Sequence, residues 1–157
     1  MPTKQSSRRR GFSLLELVIV VVIIGIIAAI AIPRLSRGTA GAADSALSGN
    51  LAVLRNAIDL YNSEHPGKFP TLAKIDLQLT KYTDASGADG DRDATHTYGP
   101  YVRKIPPAPV GPEKDKTGFT DTAGTAGKGW VYDEKTGEVK VNTRTETDAA
   151  GKLYSDY

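Results

Sequence analysis

The chain has 157 residues, with 20 Lys and Arg against 18 Asp and Glu, 39% hydrophobic and 24% charged residues, and no cysteine. That length holds one globular domain, and the missing cysteine excludes disulfides, thiolate metal ligands and thiol nucleophiles. The formal charge of +2 owes everything to Lys4, Arg8, Arg9 and Arg10: taking those four from the 20 basic side chains leaves 16 against 18 acidic ones, so no basic surface for nucleic acid is expected.

The apolar residues are concentrated in 12–32, directly behind this basic head, with Ser13 and Glu16 the only strongly polar interruptions. A helix of this length rises about 30 Å, enough to cross a bilayer. The positive-inside rule keeps Lys4 and Arg8 to Arg10 in the cytoplasm and places everything after Pro33 outside it. Glu16 is the anomaly: an ionised acid inside a membrane helix costs about 2.5–3.5 kcal/mol at its centre and less near an end, so it either snorkels to the interface or finds a partner. A secretory signal peptide cut after Ala29-Ile30-Ala31 is a competing reading, but the apolar run is longer than such cores and Glu16 has no part in one. An uncleaved single-pass anchor leaves Gly11-Phe12 and Glu16 without a role.

The string Arg8-Arg9-Arg10-Gly11-Phe12-Ser13-Leu14-Leu15-Glu16 resembles the prepilin signal of type IV pilins and type II secretion pseudopilins. The resemblance implies that residues 1–11 are a leader removed by a prepilin peptidase between Gly11 and Phe12, and that the new amine on Phe12 is methylated. It further implies that Glu16 attracts the Phe12 ammonium of a neighbouring subunit during assembly of a helical homo-oligomeric filament. Opposite charges buried together offset each other's desolvation, whereas either alone does not.

Beyond the membrane run, Leu47, Leu51, Leu54, Ile58 and Tyr61 recur at spacings of 4 and 3 and fall on one helical face. Arg55, Asn56, Asp59 and Asn62 fall opposite. One nearly continuous helix is therefore expected from about Phe12 to about Ser63, its soluble half in 33–64, ending before the breaker His65-Pro66-Gly67. Pro33 removes a backbone hydrogen bond and is expected to kink it, while Gly25, Gly38, Gly41 and Gly49 each weaken it by about 1 kcal/mol relative to Ala.

Residues 65–157 are loop-rich. Leu72, Ile75, Leu79 and Tyr82 carry the spacing of a short second helix. Gly129-Trp130-Val131-Tyr132 and Glu138-Val139-Lys140-Val141 flank Asp133 to Gly137 as a β-hairpin, and Leu153-Tyr154 is a candidate further strand. The fold class expected is α+β and pilin-like: a long kinked helix whose soluble half packs on a small antiparallel sheet through Trp130, Val131 or Tyr132, and Val139 or Val141.

The segment Tyr98 to Pro106, followed by Gly129-Trp130-Val131-Tyr132-Asp133 and Thr136-Gly137-Glu138-Val139, is similar to the major pseudopilin of type II secretion. The insert Val110 to Lys128 and the tail depart from it. The resemblance implies a structural subunit of a pseudopilus that drives protein export, located in the inner membrane with its C-terminal domain in the periplasm, and working with an inner-membrane assembly platform and minor pseudopilins. A type IV pilus subunit and a monomeric membrane-anchored extracytoplasmic binding protein are the alternatives. No cofactor is certain. Calcium is the candidate the resemblance implies, through oxygens of Asp84, Asp89, Asp91 and Asp93 or of Asp148, Ser155 and Asp156, with a solvated acidic loop as the plainer account.

No catalytic frame is present, so no enzymatic activity is expected. Gly124-Thr125-Ala126-Gly127-Lys128 lacks the first glycine and the hydroxyl of a phosphate loop. His65 and His96 have no motif neighbours and are expected at the surface.

Overall fold

The computed structural model describes residues 13–148 and 150–157, with the backbone alone over 32–40. The chain divides into two compact units, Met1–Gly38 and Thr39–Tyr157. Helix α1 is assigned over Leu14–Glu64, and Pro33 does not end it. Within the first unit the described residues from Leu14 onward are helical and their side chains from Leu14 to Ala31 are almost entirely exposed.

The second unit is built on the soluble part of α1. Its 4-3-4-3 face, Leu47, Leu51, Leu54, Ile58 and Tyr61, is buried as the periodicity requires, with Ala57 filling the same side. The helix stops at Glu64, one residue past the expected end, where Gly67 (φ 69°) takes a left-handed turn and donates its N–H to Asn62 O at 3.3 Å.

Helix α2 (Ile75–Thr80) is shorter than the spacing implied: Ile75 and Leu79 are buried, Leu72 stays in the preceding turn, and Tyr82 belongs to a strand. Gln78 explains the arrangement, its Oε1 accepting the Thr71 N–H at 2.8 Å and its Nε2 donating to Gly87 O at 2.7 Å. Strands β1 (Tyr82–Thr83) and β2 (Asp89–Gly90) pair antiparallel.

The principal sheet has the order β3 (Phe119–Thr120), β4 (Trp130–Tyr132), β5 (Val139–Val141). The expected hairpin is β4–β5, antiparallel with Trp130 opposite Val141 and Tyr132 opposite Val139. Alternation sends Trp130, Tyr132, Val139 and Val141 into the core beside Leu47 to Tyr61 and leaves Val131 half-exposed. Both large polar aromatics keep their hydrogen bonds: Trp130 Nε1 donates to Pro106 O at 2.9 Å and Tyr132 Oη to Pro70 O at 2.8 Å. The sheet is mixed rather than wholly antiparallel, because β3 from the insert runs parallel to β4.

The hairpin turn is closed by Gly137 N–H to Asp133 O at 2.8 Å, with Gly137 at φ 77°. Leu153-Tyr154 does not form the further strand expected: Leu153 makes a lone bridge to Thr147, and Tyr154–Asp156 is a 3₁₀ turn.

Candidate membrane and assembly site

The site begins at Ser13. Its carbonyl accepts the Leu17 N–H at 3.2 Å, opening α1, and its own N–H donates to Glu16 Oε2 at 3.3 Å. Ser13-Leu14-Leu15-Glu16 is thus the carboxylate half of a capping box, a Ser-x-x-Glu pattern in which the acid reaches back to satisfy an orphan N–H at the positive end of the helix dipole. Gly11 and Phe12, the expected cleavage and methylation positions, and the basic residues before them lie outside the described residues.

From Leu14 to Ala31 the helix has a mean hydropathy of 3.2 with none of its window buried. Its large aliphatic side chains from Leu14 to Ile30 are 48–79% exposed, all around the helix. An apolar surface of this extent does not stay in water; at 1.5 Å per residue the window is about 27 Å long, which suits a hydrocarbon core. Glu16 is the single charged side chain within it, so this one apolar helix is compatible with single-pass membrane anchoring.

The acidic loops are tied by hydrogen bonds of their own. Asp84 Oδ1 accepts the Ser86 hydroxyl at 2.7 Å and the N–H groups of Ser86 and Ala88, and the Ser86 bond first of all holds its carboxyl below the usual range. Asp93 Oδ1 accepts the His96 N–H and the Thr95 N–H and hydroxyl, which lower it further, the His96 N–H most. Asp89 faces Lys74 Nζ at 3.4 Å, and Asp91 is exposed. In the tail, Asp148 gathers the N–H groups of Ala150 and Lys152 and the Tyr157 hydroxyl, while Asp156 accepts the neighbouring Ser155 hydroxyl at 3.3 Å. Among the described residues no three His, Asp or Glu side chains come together as metal ligands. Asp84, Asp93 and Asp148 instead tie their own loops.

The glycine-rich stretch has its amides engaged as well: Gly124 N–H donates to Asn142 Oδ1 and Gly127 N–H to Glu113 Oε2, both at 2.6 Å. His65 corrects the expectation of a surface histidine. It is buried and stacked on Tyr61 at 3.9 Å between ring centroids. Its Nδ1 lies 2.9 Å from Tyr61 O and its Nε2 2.9 Å from Asp84 O, pinning the end of α1 to the β1 loop. His96 is half-buried beside Asp93.

Residues 6–32 match the family model of the prokaryotic N-terminal methylation motif, a type IV pilin-like signal. No curated protein matches the chain, and no solved structure does. The matched residues include Arg8 to Arg10, Gly11-Phe12, the capped start of α1 and the exposed apolar window Leu14–Ala31. The motif supports a type IV pilin-like or pseudopilin subunit, a structural class rather than an enzymatic one.

Proposed function

We propose that this chain is a structural subunit of a pilin-like filament and, within that class, of a type II secretion pseudopilus. The observation that carries the proposal is a lone carboxylate, Glu16, near the start of a wholly exposed apolar helix that lies inside a methylation motif. A prepilin peptidase removes 1–11, leaving an ammonium on Phe12 that is then methylated. The helix holds the subunit in the inner membrane, with the basic head cytoplasmic and Thr39–Tyr157 outside, until it enters the filament. There the exposed aliphatic surface exchanges lipid for neighbouring helices, and Glu16 pairs with the Phe12 amine of the next subunit in a medium of low dielectric constant. A bend at Pro33 and the weak helix around Gly38 and Gly41 ease that transfer.

The similarity of Tyr98 to Pro106 and of the Trp130 hairpin to the major pseudopilin supports the secretion assignment over a type IV pilus. Calcium remains a proposed ligand on resemblance alone, at either acidic place.

Intact-mass analysis of the chain purified from membranes tests the processing step, with a polypeptide beginning at N-methylated Phe12 as the expected species. A chain starting at Ile32, or one retaining Met1, overturns the assignment. Deleting the gene then separates the two filament classes: loss of protein export is expected, and intact export with lost adhesion or motility assigns the chain to a pilus.

A further inference from the structure

The geometry points to a latch formed by Tyr154 on Asp44, which sets where α1 becomes held by the soluble unit. Both residues belong to Thr39–Tyr157, and the inference does not depend on the filament assignment.

The latch follows from what the early turns of α1 touch. Gly41, Ala42, Ser45 and Ala46 are exposed, and Leu47 is the first α1 side chain in this stretch that is fully buried. Within 41–46 only Ala43 and Asp44 are half-buried, and among the described residues the Asp44 side chain is fastened by one bond, the Tyr154 hydroxyl donating to its Oδ1 at 2.9 Å across 110 positions of sequence. Partial burial, and then the bond to Asp44, pushes the Tyr154 hydroxyl up from its ordinary value, as expected of a phenol that donates to a carboxylate.

The segment carrying Tyr154 is held in place beforehand, so closing the latch orders little new chain. The Tyr154 N–H donates to Glu146 O at 3.0 Å, Leu153 bridges Thr147, and Tyr157 Oη donates to Asp148 Oδ2 at 2.6 Å. Tyr154 and Tyr157 both pack against the core. The helix on the other side of the bond is intrinsically weak, since a Cβ at Gly41 or Gly49 would meet nothing within 4 Å and neither glycine is held by packing. With the latch closed, support for α1 begins at Ala43 and Asp44. With it open, within 41–46 only the half-buried Ala43, packed against the core, still supports the helix, and firm support shifts about 4.5 Å along it to Leu47.

Hydrogen exchange read by mass spectrometry on the full chain in detergent micelles tests this. Tyr154→Phe keeps the ring and removes the donor; Asp44→Ala removes the acceptor while raising helix propensity, so propensity alone slows exchange in that variant. Tyr154→Phe is expected to exchange about five-fold faster over residues 41–48, the loss of one hydrogen bond, and Asp44→Ala faster by a smaller factor, with 51–61 unchanged in both. Unaltered exchange over 41–48 in Tyr154→Phe, slower exchange there in Asp44→Ala, or equal acceleration over 51–61 overturns the latch.

Discussion

Two roles for Glu16 differ enough in size to be separated by a pair of substitutions. As a cap, Glu16 accepts the Ser13 N–H at 3.3 Å, a long bond worth about 0.5 kcal/mol, or roughly a factor of two in the population of the first turn. Glutamine also serves at this position of a capping box, so Glu16→Gln keeps that contribution and Glu16→Ala loses it. As the partner of a neighbour's Phe12 ammonium, the carboxylate matters far more, because removing one member of a buried pair leaves the other uncompensated at about 3–5 kcal/mol. That is roughly a 150- to 4,000-fold loss in assembly. Neither change hinders insertion, since each removes a charge from an apolar helix. Counting subunits in sheared filaments, with intact mass confirming that each variant is cut and methylated, reads the difference. Both variants are expected to fall together by at least about two orders of magnitude. Filaments at the wild-type level with Glu16→Gln and about half that level with Glu16→Ala refute the charge pairing and leave only a cap.

Gly137→Ala strains the hairpin twice. Gly137 sits at φ 77°, which costs an alanine about 1–2 kcal/mol, and an added Cβ meets the Phe69 ring, with displacement of that ring costing about 1–3 kcal/mol more. Urea unfolding is expected to show a loss of about 2–5 kcal/mol that shrinks in a Phe69→Ala background; equal losses in both backgrounds remove the steric part of the argument. A third expectation concerns acid. Hydrogen bonds hold Asp84, Asp93, Asp133 and Asp148 below their usual values, led by Ser86 Oγ, the His96 N–H, the Lys135 N–H and the Tyr157 hydroxyl respectively. A carboxyl lowered on folding adds stability that is complete above its unfolded value, about 3.9, and is lost as the pH falls through its folded one. The urea midpoint is therefore expected to be flat from about pH 7 to pH 5 and to decline below about pH 4, with Asp93→Asn shallower there; a midpoint independent of pH down to 2.5 contradicts it.

What was legible in the sequence was whatever local chemistry decides. The 4-3-4-3 spacing from Leu47 to Tyr61 placed the core face of α1, and alternation around Asp133 to Gly137 placed Trp130, Tyr132, Val139 and Val141 inside. The methylation motif was legible for the same reason, because a peptidase reads a short string. Where partners distant in sequence decide, the local pattern was silent or misleading. Phe119-Thr120 has too few residues to show a period and becomes β3 only by lying parallel to β4. His65, beside a Pro-Gly breaker, looked like a surface residue and is buried because its ring stacks on Tyr61 while Tyr61 O faces its Nδ1 and the Thr83 hydroxyl, 18 positions away, faces its Nε2.

Glu16 shows a third kind of gap. Ser13-x-x-Glu16 is a visible capping pattern, but an acid in a membrane run draws attention to what it lacks, a countercharge, and away from the N–H three residues back. The cap is compatible with the proposed pairing, since Oε2 takes the Ser13 N–H and the pairing needs only the other oxygen. A cap also fixes the carboxylate near the end of the apolar window rather than at its centre, where the cost of carrying a charge before assembly is lowest. In the proposed filament the cap makes the waiting subunit tolerable in lipid, and the neighbour's amine makes the assembled one preferable.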